Sequence, residues 1–364
     1  MNFDLSEDQQ LLADSVGKLF GDHRDAGAPE PEAVWRDYLD HGLIALPFAE
    51  TLGGLGGGHE EMMLVMEAYG TTLASAPYLQ SVLLAGRTLA LAGGPVAERA
   101  LGELLGTGRR HALALFEPGR RYRWNAPATK AERTATGWRL SGAKCAVLDC
   151  NTETTLLCPA ATAEGLGLFL IPPGTPGLSL HLHPTPDGRQ AADVTLEGVA
   201  LESDAAIGDS ARNEALLAEA IDGAILACCA EATGAMERLL HSTVDYLNVR
   251  KQFGVAIGSF QALQHRAADM LIAIERARSI TIYAASMMDA PPSARGVAIA
   301  AAKALVNRSA RFVGQQAIQL HGGIGLASEY PAGRYFQRLT VIETLFGDTD
   351  HHLAQVERGG GLLG

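Results

Sequence analysis

Three short segments in the last third of the chain carry residue types that could do chemistry. Arg250-Lys251-Gln252-Phe253-Gly254 sets a guanidinium and an amide beside a glycine. Gln319-Leu320-His321-Gly322-Gly323 ends a helical run in paired glycines. A guanidinium pairs well with phosphate oxygens, and paired glycines let backbone N–H groups approach a phosphate closely. The same residues have a plainer use, with Arg250 as a charge at a helix end and Gly322-Gly323 as a helix C-cap. The third segment, Leu345-Phe346-Gly347-Asp348-Thr349, offers one carboxylate and one hydroxyl on a turn. Asp348 there is either a proton acceptor or an ordinary cap carboxylate.

The elements that must position these segments are legible from periodicity. Residues 1–112 read as a helical domain. Ser6-Glu7-Asp8-Gln9 is a capping box opening its first helix. The run Gly53-Gly54-Leu55-Gly56-Gly57-Gly58 reads as a flexible turn, because it lacks the strand before and the Lys-Ser/Thr after that a phosphate loop needs. Helical periodicity then resumes over 60–91. Residues 113–212 change texture to short apolar runs at 113–116, 138–140, 145–148, 154–157, 166–171 and 192–196, parted by Pro and Gly, which is the pattern of a small β barrel or sandwich. Residues 213–364 return to helix, with long amphipathic runs at 213–250, from Phe260 to Ile274 and at 293–320, and a fourth beginning near Pro331. Long antiparallel helices with short connections predict a four-helix bundle. The fold class is therefore α+β, in the order helical, β, helical bundle.

Composition narrows the function classes. The 364 residues are 47% hydrophobic and 19% charged, a globular balance able to bury a large core. A net charge of −12 opposes binding to nucleic acid or anionic membranes. The beginning of the sequence has no secretory or transit pattern, so a cytoplasmic protein is expected. Cys145, Cys150, Cys158, Cys228 and Cys229 form no CxxC pair and no zinc-ligand spacing, and are expected to be reduced structural thiols.

Taken together in order and spacing, the motifs resemble the acyl-CoA dehydrogenase family over essentially the whole chain. The marks are Phe3-Asp4-Leu5, Glu117-Pro118-Gly119, Gly142-x-Lys144, Arg250-x-Gln252-Phe253-Gly254, Phe260-Gln261-x-x-Gln264 with Ala268-Asp269-Met270, Gln319-x-x-Gly322-Gly323-x-Gly325, and Glu329-Tyr330-Pro331. The ending Phe346-Gly347-Asp348-x-Asp350-His351-His352 resembles the small subunits of pimeloyl-CoA-type dehydrogenases. The resemblance implies an N-terminal helical domain, a middle β-barrel domain, a C-terminal four-helix bundle and bound FAD. It also implies a tetramer built as a dimer of dimers, and an electron-transferring flavoprotein as acceptor. The implied reaction is α,β-dehydrogenation of an acyl-CoA to the 2-enoyl-CoA. A carboxylate removes the α proton while the thioester oxygen is polarised by hydrogen bonds, and a hydride leaves the β carbon.

The resemblance also sorts the residues into kept and lost. The adenine and pyrophosphate set maps to Arg250, Gln252, Phe253, Gln261, Gln319, Gly322 and Gly323, all present, and the FAD-contacting threonine is kept as Thr349. The flavin-ring set departs from the family. Arg120-Arg121-Tyr122-Arg123-Trp124 stands where a small Ser/Asp loop is usual, and Ala146-Val147-Leu148-Asp149-Cys150 stands in place of Trp-Ile-Thr/Ser-Asn-Gly. The base is missing, because the usual Tyr-Glu-Gly-Thr aligns with Phe346-Gly347-Asp348-Thr349. Relatives with a base on the first bundle helix would place it at Ala224; Asp222 lies about 200° around that helix from the alternative position. Asp348 and then Glu343 are the fallback carboxylates.

Three readings follow. In the first, the chain is the base-lacking small subunit of a heteromeric dehydrogenase, lending nucleotide contacts to a larger acyl-CoA dehydrogenase partner. In the second, it is a self-sufficient homo-oligomer using Asp348 as base. In the third, it is a binding or scaffold protein without redox chemistry, in which the basic run 120–123 could face a CoA phosphate or a partner subunit.

Overall fold

The structure, a computed structural model, describes residues 5–25, 31–327 and 330–361. Phe3, Asp4 and Glu329 lie outside the described residues. In chain order the helices are α1 (Glu7–Asp25), α2 (Pro31–Asp40), α3 (His59–Thr72), α4 (Arg87–Ala92), α5 (Gly94–Thr107), α6 (Asn213–Val249), α7 (Gln261–Ser286), α8 (Pro292–His321), α9 (Pro331–Thr344) and α10 (Thr349–Arg358). The strands are β1 (His111–Leu113), β2 (Lys130–Arg133), β3 (Gly137–Leu148), β4 (Thr155–Thr162), β5 (Gly165–Ile171), β6 (Leu178–Pro184), β7 (Gln190–Glu202), β8 (Ala206–Ile207), β9 (Lys251–Gln252) and β10 (Val255–Ala256). The chain thus runs helical, sheet, helical. It divides into two compact units, one from Met1–Pro29, Gly58–Ala74 and Ile225–Gly364, the other from Glu30–Gly57 and Ser75–Ala224.

In the first unit, α7, α8, α9 and the later part of α6 form the bundle, joined by α1 and α3. The capping box at its entry is formed, with Gln9 N–H on Ser6 Oγ at 3.2 Å and Ser6 N–H on Gln9 Oε1 at 3.1 Å. Two glycines set the crossing of α3 and α6. A Cβ at Gly70 would lie 1.9 Å from the Glu231 carbonyl oxygen, and one at Gly234 would lie 1.9 Å from that of Glu67. Buried charge ties the helices further. Arg338 of α9 grips Glu231 of α6 in a two-pronged pair, Nε–Oε1 2.6 Å and Nη2–Oε2 2.8 Å, with both side chains almost fully buried.

The second unit is the β region with its flanking helices. The sheet order is β6-β7-β3-β2-β4-β5-β8, with β1 added parallel to β4. Trp138 of β3 and Phe169 of β5 are three strands apart along that path, yet their rings meet edge to face at 5.0 Å. A flat sheet would hold those strands about 14 Å apart, so the sheet curls around a core of Leu140, Val147, Leu156, Phe169, Val194 and Val199. The helical periodicity over 60–91 is divided, since Leu73 adopts φ +53° and ends α3, and a π-helical stretch, Tyr78–Gly86, precedes α4. One expectation needs correction here. The glycine run is tightly packed rather than loose, since a Cβ at Gly54 would lie 2.0 Å from the Phe48 carbonyl oxygen.

Candidate functional site

Beyond α6 the chain turns back through the β9–β10 hairpin, pairing Gln252 with Val255. Its two central residues, Phe253 and Gly254, have φ of +54° and +82°. That is the twist a two-residue hairpin demands, and it is costly for a phenylalanine. The Phe253 ring is 90% exposed and touches Phe260 edge to face at 6.1 Å, next to Gln261 at the start of α7. A strained, exposed aromatic is the kind of feature that function retains. Arg250 and Gln252 are exposed, and the Arg250 guanidinium has no carboxylate partner among the described residues.

The second motif ends α8. Gln319, Gly322 and Gly323 are exposed, and Gly322 caps the helix at φ +63° with its N–H on the Ile318 carbonyl. A Cβ built on Gly322 or Gly323 would meet nothing within 4 Å, so the backbone there is open to a ligand. The structure brings the two motifs together: Tyr246, one turn before Arg250, stacks on His321 at 4.8 Å. The expected nucleotide residues thus form one exposed set that fits an anionic, ring-bearing ligand: a cation, amides, approachable N–H groups and an exposed aromatic.

The turn between α9 and α10 is built differently. Three α8 side chains, one helical turn apart, hold the last turn of α9 in front of it. Lys303 Nζ donates to the Ile342 carbonyl at 2.5 Å and to Asn307 Oδ1 at 2.8 Å. Asn307 Nδ2 donates to the Glu343 carbonyl at 3.1 Å, and Arg311 pairs with the Glu343 carboxylate. Lys303 is fully buried, and burial pushes its ammonium below the usual range. Gly347 then sits at φ +135°, and a Cβ there would lie 2.5 Å from His352 Nε2 and 2.6 Å from His351 Cδ2. Imidazoles occupy the space into which a side chain at 347 would grow.

Those imidazoles are fixed. Gln355 Oε1 meets His352 Nδ1 at 3.0 Å, and Gln355 Nε2 meets His351 Nε2 at 3.1 Å. The amide oxygen only accepts, so His352 carries its proton on Nδ1. Burial, with the nearby Lys303 charge and His351, lowers His352 to about 3. Asp348 is the N-cap of α10: its Oδ1 accepts from His351 N–H at 2.9 Å. Thr349 is half-buried in the first turn of α10, with the α9–α10 turn rather than with the exposed set. Ala224 is buried and Asp222 is half-buried on α6.

In the β unit, Glu117 and Lys144 form a buried pair at 2.8 Å, and the Thr129 and Ala128 N–H groups also donate to Glu117. Burial raises the carboxyl, but the Lys144 hydrogen bond and the two amides outweigh it and bring it down to about 2. These two residues are structural. A register shift between Lys144 and Val147 marks a bulge, where Ala146 takes φ +51° and gives its N–H to Asp193 at 3.0 Å. Val147 joins the sheet core, so the segment offers neither an aromatic face nor a hydroxyl to a flavin ring. The Arg-rich loop folds onto itself, with Tyr122 against Phe116 at 6.3 Å and Arg121 over Tyr122 at 5.8 Å. All five cysteines are free. Among the described residues no helix is long and apolar enough to cross a membrane, and no cluster suits a metal ion.

Comparison with known proteins fits this geometry. The acyl-CoA dehydrogenase C-terminal domain model matches residues 216–361, and the N-terminal domain model matches residues 6–100. Acyl-CoA dehydrogenase FadE27 of Mycobacterium tuberculosis is 28% identical over 333 residues, 89% of this chain and 87% of that protein. Among solved structures, a variant of the Tcur3481–Tcur3483 steroid ACAD is 30% identical with a TM-score of 0.86, covering 98% of both chains. The ChsE4–ChsE5 complex of Mycobacterium tuberculosis is 27% identical with a TM-score of 0.87, again covering 98% of both. Motifs, architecture and relatives agree: this chain belongs to the acyl-CoA dehydrogenase family of FAD-dependent oxidoreductases.

Proposed function

We propose that this chain is the base-lacking subunit of a heteromeric acyl-CoA dehydrogenase. It lends nucleotide contacts to an FAD whose reacting ring and base are supplied by a larger partner. The observation that carries this reading is Gly347: no carboxylate stands there, and two imidazoles fill the space one would need. The two fallback carboxylates are committed elsewhere, Glu343 to Arg311 and Asp348 to the α10 cap. That weighs against the self-sufficient reading with Asp348 as base. The exposed set at Arg250 and Gly322 weighs against a scaffold with no cofactor.

In this reading Arg250 neutralises diphosphate charge, Gln252, Gln261 and Gln319 donate to its oxygens and sugars, Gly322 and Gly323 offer N–H groups, and Phe253 covers the adenine. The FAD, when bound, supplies the hydride acceptor. One relative is the product of a two-component assembly by name, the ChsE4–ChsE5 complex, which supports a hetero-oligomer. Another is named a steroid ACAD, so sterol-type acyl thioesters belong on the substrate panel beside straight-chain ones. Electrons would pass to an electron-transferring flavoprotein.

The test is co-purification with the neighbouring gene's product, followed by flavin counting and acyl-CoA dehydrogenation assays. The expected result is activity in the pair and none in the lone chain. Stoichiometric FAD with turnover by the lone chain would refute the proposal.

A further inference from the structure

Tyr246, His321 and Tyr330 meet where the two nucleotide motifs join. Tyr246 and His321 are stacked with planes 28° apart, and the Tyr330 ring lies 5.0 Å from the imidazole. His321 is 3% exposed. Its Nδ1 lies 2.8 Å from the Ala317 carbonyl, and a carbonyl only accepts, so the proton is on Nδ1. Nε2 is then an acceptor, and the Tyr330 hydroxyl donates to it at 3.2 Å. A Cβ at Gly325 would come within 2.9 Å of His321 Cβ, so the third glycine of the motif leaves room for this side chain. One imidazole therefore touches α6 one turn before Arg250, the α8 end that carries Gln319 and Gly322, and the residue that leads into α9.

We propose that His321 is a positioning residue which holds Arg250 and the Gly322-Gly323 turn in one register for a dinucleotide diphosphate, and that Tyr330 fixes its tautomer. The proposal rests on the reading that this chain grips the diphosphate of FAD. Neither of these two hydrogen bonds, nor the contact with the Ser242 backbone, can be made by a phenylalanine, which would keep only the ring contacts with Tyr246 and Tyr330.

The test measures the FAD dissociation constant of the co-purified complex by flavin fluorescence, for wild type, Arg250→Ala, His321→Phe, Tyr330→Phe and Arg250→Ala/His321→Phe, with the melting point of each variant without FAD. His321→Phe is expected to weaken FAD roughly tenfold and Tyr330→Phe roughly threefold, as befits loss of two hydrogen bonds and one. The double variant is expected to lose less than the product of the single effects, because Arg250 is already out of register once His321 is gone. A merely structural role would lower the melting point and leave the effects multiplicative, which overturns the proposal. Unchanged FAD affinity in both ring variants, with affinity lost in Arg250→Ala, also overturns it while the nucleotide reading stands. If Arg250→Ala too leaves affinity unchanged, the nucleotide reading itself fails and the proposal with it. Should His321→Phe not fold, Tyr330→Phe decides alone: a loss supports the proposal and wild-type affinity overturns it.

Discussion

The exposed set at the ends of α6 and α8 and the turn between α9 and α10 share one bundle, and they are built in opposite ways. At the first, glycines open onto free space, Phe253 stands out in a strained conformation, and the Arg250 guanidinium has no carboxylate partner among the described residues. At the second, a glycine is hemmed in by two imidazoles, a buried lysine and an asparagine hold the preceding carbonyls, Glu343 is paired and Asp348 is capping. Stability has been sacrificed at one place and conserved at the other. A chain that has lost only a base would leave a hole at 347; here the hole is filled, which is what a surface no longer required to meet substrate would allow.

The comparison can be broken most directly at residue 347. Gly347→Glu would set a carboxylate at the position where the proposed reading places the missing base, but it must displace His351 and His352 and adopt φ +135°. We expect a loss of roughly 3 kcal/mol in urea unfolding and no dehydrogenation by the lone chain. Turnover by that variant would mean the site was merely vacant.

Acid titration probes the same turn. His352 titrates at about 3 in the fold against an ordinary 6.5, so below pH 6.5 the unfolded chain takes up a proton that the folded chain refuses. Its contribution is complete above pH 6.5 and is lost as pH falls toward 3, at about 1.4 kcal/mol per unit. His352→Gln should remove roughly 2 kcal/mol of the stability lost between pH 6.5 and 5. His111, lowered to about 4 chiefly by burial, keeps a similar slope in the β unit, so the difference between variant and wild type is the quantity to read. Glu117 acts in a separate window: its stabilisation is complete above about pH 4.5 and fades as pH falls through about 2.

The exposed set should respond the other way, in affinity rather than stability. Arg250→Ala is expected to change unfolding free energy by less than about 0.5 kcal/mol and to weaken FAD about tenfold. Equal losses in both would erase the contrast. The smallest effect belongs to Phe253→Gly, which relieves a positive φ and should gain about 1 kcal/mol of stability while costing a few-fold in FAD affinity. A destabilised variant would show that the Phe253–Phe260 contact outweighs the strain.

Much of this was legible in the sequence, for physical reasons. The long helices announce themselves by apolar spacing, and α6, α7, α8 and α9 fall where periodicity sets them. Strand β2 was missed because it has only four residues and is mostly polar, and β6 because its leucines alternate with Ser and His and none of its residues is fully buried. The break after α3 was hidden because no glycine marks it; a leucine takes the left-handed conformation. Helix α10 was not marked out as a helix of its own, although Asp348 was read as a possible cap carboxylate, and it is the N-cap of that helix. At the site, the residues proposed to hold the nucleotide were picked out by motif, and the structure gathers Arg250, Phe253, Gln319 and Gly322 at the exposed ends of α6 and α8. The ring cluster was not picked out, because Tyr246 and His321 meet only through tertiary packing. Nor could the alignment of Gly347 reveal that imidazoles fill the volume beside it.

The ladder of Lys303, Asn307 and Arg311 and the glycine turn after His321 lie on one uninterrupted helix. From Lys303 to His321 that strut spans about 27 Å, with a phase of about 100° per residue. Deleting a single residue between Arg311 and Gln319 would shorten it by only about 1.5 Å, yet would swing everything beyond by about 100°. Gln319 and the glycines would then point away from Tyr246 while the ladder stayed in place. The length of this stretch is thus as tightly specified as any side chain it carries.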